Sequence, residues 1–381
     1  MITKLIEKAK KVFPGSDNFQ AFFSPGRVNL IGEHIDYNGG FVLPCALDIG
    51  TFGIASPRDD EFISCYSENF SEIGIITFSL RDLEYRLEDN WVNYVKGVMK
   101  EIELTKGFNL YVRGDIPNGA GLSSSASLEL LIGVIANTLY NLGLSNLELV
   151  KIAHKAENEF IGVKCGIMDQ FIIGMAKDKS GILLNTSNLE HHYVKINLGD
   201  YLIIIGNTNK KRSLSTSKYN ERREECEQGL KMLQKRFEIK ELCELSCNDF
   251  ENSQALLTDP IIYKRVRHVI SENERTQAAY QALEKGNLVE FGKLLSASHD
   301  SLRDDYEVTG IELDSLQEFF LKHGAIGARM TGAGFGGCAI ALVRSDEAEH
   351  LIEKVREGYK EATGLEADFY PVRVGNGARK L

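Results

Sequence analysis

The order of apolar and polar residues along the chain predicts alternating segments of helix and strand. Residues 1–12 repeat apolar side chains every three or four positions among lysines, which is typical of an amphipathic helix. Residues 50–80 alternate apolar and polar side chains and contain β-branched runs, which favours strands of a sheet. Helical spacing returns over residues 91–99, and residues 108–112 predict another strand.

The next segments predict a buried helix followed by a capped one. Residues 128–142 are apolar nearly all round, which favours a helix in the centre of a domain. Ser145 and Glu148 have the spacing of a capping box, and the helix that they start would carry Glu157 into a buried environment. A buried carboxylate costs free energy unless it is paired, and a metal ion would satisfy it. Glu157 is therefore a candidate metal ligand.

The pattern changes near residues 195–200, which predicts a domain boundary there. A continuous apolar strand is predicted over residues 201–206. Residues 219–237 predict a highly charged helix whose internal ion pairs favour a solvated face. Further helices are predicted over residues 261–322, and a strand over residues 338–343.

Length, charge and cysteine content limit the classes of protein to consider. A chain of 381 residues is too long for one ordinary core and suggests two domains. It carries 44 basic and 54 acidic residues, a net charge of −10, so binding to nucleic acid or to an anionic membrane is not expected. No run approaches the roughly 18 apolar residues that a membrane span requires. The seven scattered cysteines favour reduced thiols and a cytoplasmic protein.

Residues 117–128 have the sequence PNGAGLSSSASL, which combines a glycine turn, hydroxyl side chains and a helix start. Gly119 and Gly121 let the backbone approach an anion closely. The serines at 123–125 lie where the unpaired N–H groups of a helix would favour a phosphate. A serine-capped helix is the alternative, although one hydroxyl suffices for a cap. The Gly-Lys-Ser/Thr of a Walker A loop and the His-Arg-Asp and Asp-Phe-Gly motifs of protein kinases are missing, so a kinase with this loop would belong to another lineage.

A second polar segment follows a short apolar strand predicted over residues 28–31. It crowds five hydrogen-bonding side chains into six positions, namely Glu33, His34, Asp36, Tyr37 and Asn38. This set could encircle a polyhydroxylated ligand, whereas a solvated loop is the simpler alternative. His34 by itself is more typical of a hydrogen-bonded structural residue than of a ligand.

Two further features each allow two interpretations. Asp169 has apolar neighbours and should be partly desolvated, as expected for either a helix cap or a base. Residues 327–337 contain a G-x-G-x-x-G pattern, but a strand rather than a helix is predicted directly after it, which excludes a dinucleotide-binding turn. The glycine turn could still lie against phosphates or against the first glycine loop.

Three motifs in this order resemble those of the GHMP small-molecule kinases: residues 26–40, 117–128 and 329–338. The first is similar to the signature of the galactokinases, and residues 165–170 and 217–222 also resemble that family. The resemblance spans nearly the whole chain. It implies ATP-dependent phosphorylation of α-D-galactose at the C1 hydroxyl.

The resemblance also implies an α+β fold with two domains, residues 1–198 and 199–381, in which mixed sheets pack with helices. The active site would lie between the domains, and the last residues can return to the first one. Galactose and ATP would be the substrates and Mg²⁺ the metal cofactor. We expect a monomeric, cytoplasmic protein with no nucleic-acid or membrane partner.

Individual residues receive roles from the same resemblance. Asp169 would be the base that takes the C1 proton, and Arg27 would hold the Asp169 region and stabilise charge as the γ-phosphoryl group transfers. Sugar-binding residues would be Glu33, His34, Ile35, Asp36, Gly166, Asp169 and Tyr219. ATP would contact Ser67, Gly119, Ala120, Gly121, Leu122, Ser123, Ser124 and Ser125. Ser125 and Glu157 would hold the Mg²⁺.

One position departs from the family pattern, because Ile35 stands where galactokinases usually have threonine. An isoleucine facing the ligand would alter specificity, whereas one in the core would be harmless; we expect the second. The alternative functions are a kinase for another sugar, such as N-acetylgalactosamine, or a non-catalytic sensor of galactose and ATP. The complete serine segment at 123–127 argues against the sensor.

Overall fold

The computed structural model describes residues 1–116, 121–210 and 215–381. The helices within these ranges are α1 (Ile2–Val12), α2 (Val92–Glu101), α3 (Ser124–Tyr140), α4 (Asn146–Lys155), α5 (Met168–Met175), α6 (Ser215–Leu233), α7 (Cys247–Glu251), α8 (Pro260–Glu284), α9 (Leu288–Ser301), α10 (Ile311–Lys322) and α11 (Ala348–Thr363). The strands are β1 (Gln20–Asn29), β2 (Phe41–Val42), β3 (Pro44–Pro57), β4 (Phe62–Ser67), β5 (Ile76–Ser79), β6 (Phe108–Gly114), β7 (Ser180–Asn185), β8 (His191–Lys195), β9 (Tyr201–Asn207), β10 (Gly327–Thr331), β11 (Cys338–Arg344), β12 (Asp368–Val372) and β13 (Arg379–Lys380). The predicted α+β class is confirmed.

The first sheet contains nine of these strands. Its main path is β13–β1–β3–β6–β4–β5, and β7 connects β3 to the side strands β2 and β8. Its strand pairs are antiparallel except for β4 with β6. The register between β1 and β3 shifts between Pro25 and Arg27, as at a β-bulge. A bulge bends a strand and changes where its side chains point, so this shift sets the direction of Arg27.

The second sheet has the antiparallel order β10–β11–β9–β12 and is packed on both faces. Ile204 of β9 belongs to a buried cluster that includes Phe320 of α10. Ile203 and Ile205 point to the opposite face and share another cluster with Val28 of β1. Because alternate side chains of a strand face opposite sides, one apolar strand joins the helices of the second half to the first sheet.

The end of the chain lies on the first sheet. β13 pairs with β1 in the register Phe22 with Lys380 and Phe23 with Arg379. The division of the chain at residue 198 stays a prediction. Among the described residues, no helix combines the length and the apolar character needed to cross a bilayer.

Most of the helices and strands predicted from periodicity are confirmed. The structure has the helices predicted over residues 1–12 and 91–99 and the strand predicted over residues 201–206. The predicted capping box is also present, because the N–H of Glu148 donates to Ser145 Oγ at 3.3 Å and its carboxylate accepts the Ser145 N–H at 2.7 Å.

Two predicted boundaries are wrong. β1 spans Gln20–Asn29 rather than residues 28–31, because the bulge accommodates its proline and glycine inside the strand. The charged helix α6 spans Ser215–Leu233 rather than residues 219–237. Glu157 is buried on the helix that starts after Ser145, as predicted; its own turn, Ala156–Ile161, continues from the end of α4 and is π-helical. Such turns are frequent at functional sites.

Replacing Gly327 with alanine is expected to lower the free energy of unfolding by about 3 kcal/mol, because a forced overlap in a packed interior displaces backbone. A Cβ at Gly327 would lie 2.6 Å from the carbonyl carbon of Gly292, where β10 crosses α9. Urea denaturation measures the loss. Gly114→Ala is the matched control, because its nearest neighbour would be the side chain of Asn69 at 3.7 Å. Equal stability of the two variants would contradict this packing.

Candidate active site

A cavity of about 730 Å³ lies between the first and second halves of the chain. One wall comes from the end of β1, the loop after it and the segment that leads into α5, and the other from α6 and the β10–β11 turn. The lining residues are Arg27, Glu33, His34, Asp36, Gly162, Val163, Lys164, Cys165, Gly166, Met168, Asp169, Tyr219, Asn220, Arg223, Glu224, Glu227, Gly332 and Ala333. The volume suits a small molecule, and the polar lining suits a hydroxylated one.

Arg27 forms a two-point ion pair with Asp169 at the floor of this cavity. Its Nε and Nη2 donate to Oδ1 and Oδ2, each at 2.7 Å. Nη1 donates to the carbonyl of Gly121 at 2.8 Å, so one guanidinium joins the carboxylate to the glycine-serine segment. Burial opposes the charge of Arg27, but the attraction of Asp169 outweighs it and raises the pKa of Arg27. The cation therefore persists in its buried position beside the carboxylate.

Asp169 lies in the first turn of α5 and does not cap it, since the N-cap is Ile167. The hydroxyl of Ser123 donates to Asp169 Oδ2. Ser123 has φ of 60°, a left-handed conformation unusual for serine, directly before α3. Strained residues of this kind concentrate at functional sites. Because 28% of the Asp169 side chain stays exposed, a ligand hydroxyl can still reach the carboxylate.

Ser125 and Glu157 form a pair of oxygen donors beside this carboxylate. Ser125 Oγ donates to Glu157 Oε1 at 2.8 Å, and Gln170 Nε2 donates to Oε2 at 2.5 Å. Burial raises the pKa of Glu157, so a cation would compensate its charge. The described part of the chain contains no group of three or more His, Cys, Asp and Glu side chains that would bind a metal alone. One carboxylate and one hydroxyl instead fit a hard divalent cation that arrives with phosphates and water.

Glu33 is almost fully buried and joins the loop after β1 to the β10–β11 turn. Its Oε1 accepts the N–H of Gly332 at 2.6 Å and lies 3.5 Å from Arg329 Nη2, while Oε2 accepts from Asn29. Burial raises the pKa of Glu33, although the nearby Arg329 opposes the shift. A Cβ at Gly332 would also lie 3.4 Å from the carbonyl of Gly121. The third glycine motif therefore lies against both the polar loop and the first glycine loop.

Asp36 faces the cavity opposite Gly166. Burial, with additional repulsion from Asp169 and Glu33, raises the pKa of Asp36 to about 7. A Cβ on Gly166 would come within 2.8 Å of Asp36 Cγ and overlap its carboxylate oxygen. The absence of a side chain at Gly166 therefore leaves space for the carboxylate of Asp36.

Replacing Gly166 with alanine is expected to raise at least tenfold the KM for the sugar that the sequence resemblance implies, because the added methyl group displaces Asp36 from the cavity wall. The KM for ATP should change less than twofold. Steady-state kinetics with each substrate varied in turn measures both. An unchanged sugar KM would show that Asp36 can move without consequence.

His34 lines the cavity with a ring whose two nitrogens are both hydrogen-bonded. Nδ1 lies 2.9 Å from Tyr37 Oη, and Nε2 lies 3.2 Å from the carbonyl oxygen of Ala333. Burial lowers the pKa of His34 to about 3, with a further contribution from His268, so the ring is neutral. The ring of Tyr219 packs against it at a centroid distance of 5.5 Å. His34 therefore shapes the cavity without a spare ring nitrogen for a ligand.

The charged face of α6 is not simply solvated, which corrects the sequence-based interpretation. Arg223 and Glu227 line the cavity together with Tyr219, at intervals of four residues along one helix face. Arg222 is buried, where its Nε donates to the carbonyl of Tyr306 at 2.7 Å. The four-residue spacing of Arg223 and Glu227 from Tyr219 could have predicted that they line the cavity. The possible ion pairs within the helix instead favoured a solvated face.

The remaining predicted residues that the structure describes lie outside this cavity lining. Ser67 and Leu122 are buried, and Ser124 is exposed at the start of α3. Gly119 and Ala120 lie outside the described residues. Ile35 is fully buried in the apolar core, so the departure from threonine lies away from the ligand side.

Comparisons with known proteins agree with this geometry. The chain matches the galactokinase galactose-binding signature over residues 10–57, the GHMP kinases N terminal domain over 93–177 and the GHMP kinases C terminal model over 279–361. It is 53% identical to a galactokinase of Enterococcus faecalis over 99% of both chains. A galactokinase of Staphylococcus saprophyticus is 50% identical over 100% of both chains.

Solved structures give the same relationship. A crystal structure of Lactococcus lactis galactokinase complexed with galactose aligns with a TM-score of 0.96, at 49% identity over 100% of both chains. The mevalonate kinase of Methanococcus jannaschii aligns with a TM-score of 0.66 at 20% identity, over 95% of this chain and 100% of that one, and shares the fold. The chain belongs to the galactokinase family of the GHMP kinases.

Proposed function

We propose that the protein transfers the γ-phosphoryl group of ATP to the C1 hydroxyl of α-D-galactose, giving galactose 1-phosphate and ADP. The observation that carries this proposal is the Arg27–Asp169 ion pair, which faces a cavity lined by Glu33 and Asp36 and is linked to the glycine-serine segment. The full-length similarity to galactokinases at about half of all positions supports the same sugar.

Asp169 acts as the base, because phosphoryl transfer to a weakly acidic hydroxyl needs an acceptor for its proton. The two hydrogen bonds from Arg27 and the one from Ser123 orient the carboxylate. Arg27 also places positive charge where negative charge spreads over the transferring group. The chain thus contributes alignment and charge stabilisation more than covalent chemistry.

Sugar recognition uses Glu33, Asp36, Gly166 and Tyr219, with His34 shaping the wall behind them. Carboxylates accept hydrogen bonds from sugar hydroxyls, and an epimer that leaves a buried carboxylate without its partner is penalised. Because Ile35 packs in the core, the departure from threonine leaves galactose specificity unchanged.

We expect the nucleotide to bind along the glycine-serine segment at residues 119–125 and near Ser67, and Ser125 and Glu157 would hold the Mg²⁺. The ion would neutralise charge on the phosphates. None of the seven cysteines, each within the described ranges, forms a disulfide, which supports a cytoplasmic location.

Phosphorus-31 NMR of the protein with Mg-ATP and a panel of hexoses, including N-acetylgalactosamine, tests this proposal. We expect galactose 1-phosphate to accumulate and ADP to form at the same rate. Tight galactose binding without a sugar phosphate would favour a sensor, and a faster reaction with another sugar would replace the proposed substrate.

A further inference from the structure

A directional chain of hydrogen bonds ends on His34. Its Nε2 faces the carbonyl oxygen of Ala333 at 3.2 Å, and a carbonyl only accepts, so Nε2 carries the proton. In the neutral ring Nδ1 is then an acceptor, and the hydroxyl of Tyr37 donates to it across 2.9 Å. His34 itself has φ of 62°, a strained backbone conformation.

The chain of hydrogen bonds continues from Tyr37 into the second half of the protein. Since the Tyr37 proton points to His34, its oxygen accepts from the hydroxyl of Tyr306 at 2.9 Å. Tyr306 in turn accepts from the thiol of Cys226 at 3.1 Å. Tyr306 and Cys226 are fully buried, and burial raises the pKa of the Cys226 thiol to about 12 and that of Tyr306 well above its usual value. Both groups therefore stay protonated and can act as hydrogen-bond donors.

The end of this hydrogen-bond chain at Tyr306 is held rigidly. Tyr306 closes a π-helical turn, Leu302–Tyr306, that follows α9. Arg222 of α6 donates to the carbonyl of Tyr306 at 2.7 Å, and Arg265 of α8 donates to the carbonyl of Asp305 at 2.5 Å. Because the backbone at this end is held, the Tyr306 hydroxyl stays in place against that of Tyr37, and Tyr37 in turn against the ring of His34.

We infer that Tyr37 and Tyr306 are positioning residues for sugar binding, which act through His34 by holding its ring in place against Ala333. This inference rests on the proposed function of the cavity. The loop after β1 and the β10–β11 turn then form the sugar side of the site as one unit. Neither tyrosine needs to touch the sugar.

Kinetics of Tyr37→Phe and Tyr306→Phe, which preserve ring shape, test the inference. The KM for galactose should rise about tenfold in each variant, since a buried group loses its partner, while kcat and the KM for ATP change less than twofold. In the double variant the two effects should be less than additive, because they break one chain. Tyr140→Phe, which removes a hydroxyl that donates to the carbonyl of Gly107 at the far end of α3, should leave the galactose KM unchanged.

Nitrogen-15 NMR of the sugar-free protein tests the ring itself. The His34 signals are identified by their loss in His34→Gln. We expect the Nε2–H tautomer in the wild-type protein and in Tyr140→Phe, and a shifted Nδ1 signal in Tyr37→Phe, where this nitrogen loses its donor. An Nδ1–H ring in the wild type, or an unchanged galactose KM in both tyrosine variants, would overturn the inference. A wild-type protein that makes no galactose 1-phosphate would instead overturn the proposed function, because the tautomer is measured without substrate.

Discussion

Replacing Asp169 with asparagine is expected to lower kcat by about a thousandfold. General base catalysis contributes on the order of 10²–10⁴ to rate, and an amide cannot accept the C1 proton. The amide also has one acceptor oxygen where the carboxylate now accepts from both Nε and Nη2 of Arg27. One amide N–H would then face a guanidinium donor, so charge stabilisation is lost together with the base.

Steady-state kinetics and galactose binding by calorimetry separate these effects. Sugar affinity should fall less than tenfold, because the recognition residues Glu33 and Asp36 are unchanged, and the loss should appear mainly in kcat. Thermal unfolding of the variant checks that the fold is intact. A kcat within tenfold of the wild-type value would remove Asp169 from the role of base.

Replacing Asp36 with asparagine is expected to stabilise the fold at alkaline pH while weakening galactose binding at least a hundredfold. The folded protein raises the pKa of Asp36 from 3.8 to about 7, chiefly because of burial. A carboxyl with a raised pKa contributes its full stability below the unfolded value, and this contribution is lost as pH rises to the folded value. Above pH 7 the free energy of unfolding therefore includes a penalty of at most about 4 kcal/mol, which water in the cavity reduces.

Urea denaturation at pH 5 and pH 8 measures this difference. Asparagine does not titrate, so the stability advantage of Asp36→Asn should be larger at pH 8 than at pH 5, by up to about 3 kcal/mol. Galactose affinity should fall because asparagine presents one acceptor oxygen where the ionised carboxylate presents two. An advantage that is the same at both pH values would show that Asp36 keeps an ordinary pKa in the folded protein. Such an exchange of stability for function is common at binding sites.

Local features of the fold were predictable from the sequence because their causes lie within a few residues. The amphipathic pattern of α1 and the capping box of Ser145 and Glu148 depend on neighbouring positions alone. The predicted start of α6 was wrong, and the predicted strand over residues 28–31 covers only the last part of β1, since the bulge lets turn residues remain in a strand.

The site was predictable in its membership but not in its connections. Motif resemblance named seven residues that line the cavity and placed Arg27 beside Asp169, although the other contacts among them were open. The prediction that the charged face of α6 is solvated was wrong, because periodicity shows which side of a helix is polar but not which groups that side contacts. Roles for the residues at 119 and 120, like the other assigned roles, stay predictions.

By itself, the sequence determined the order of helices and strands, the glycine turns and the polar residues available for chemistry. Only the tertiary structure decided that Arg27, which the family resemblance placed near Asp169, meets it through two hydrogen bonds from 142 positions away, and that both nitrogens of His34 are already bonded. It also decided that Ile35 faces the core. The physical reason is that local propensity acts over a few residues, whereas burial, pairing and pKa shifts depend on groups that the fold brings together from distant parts of the chain.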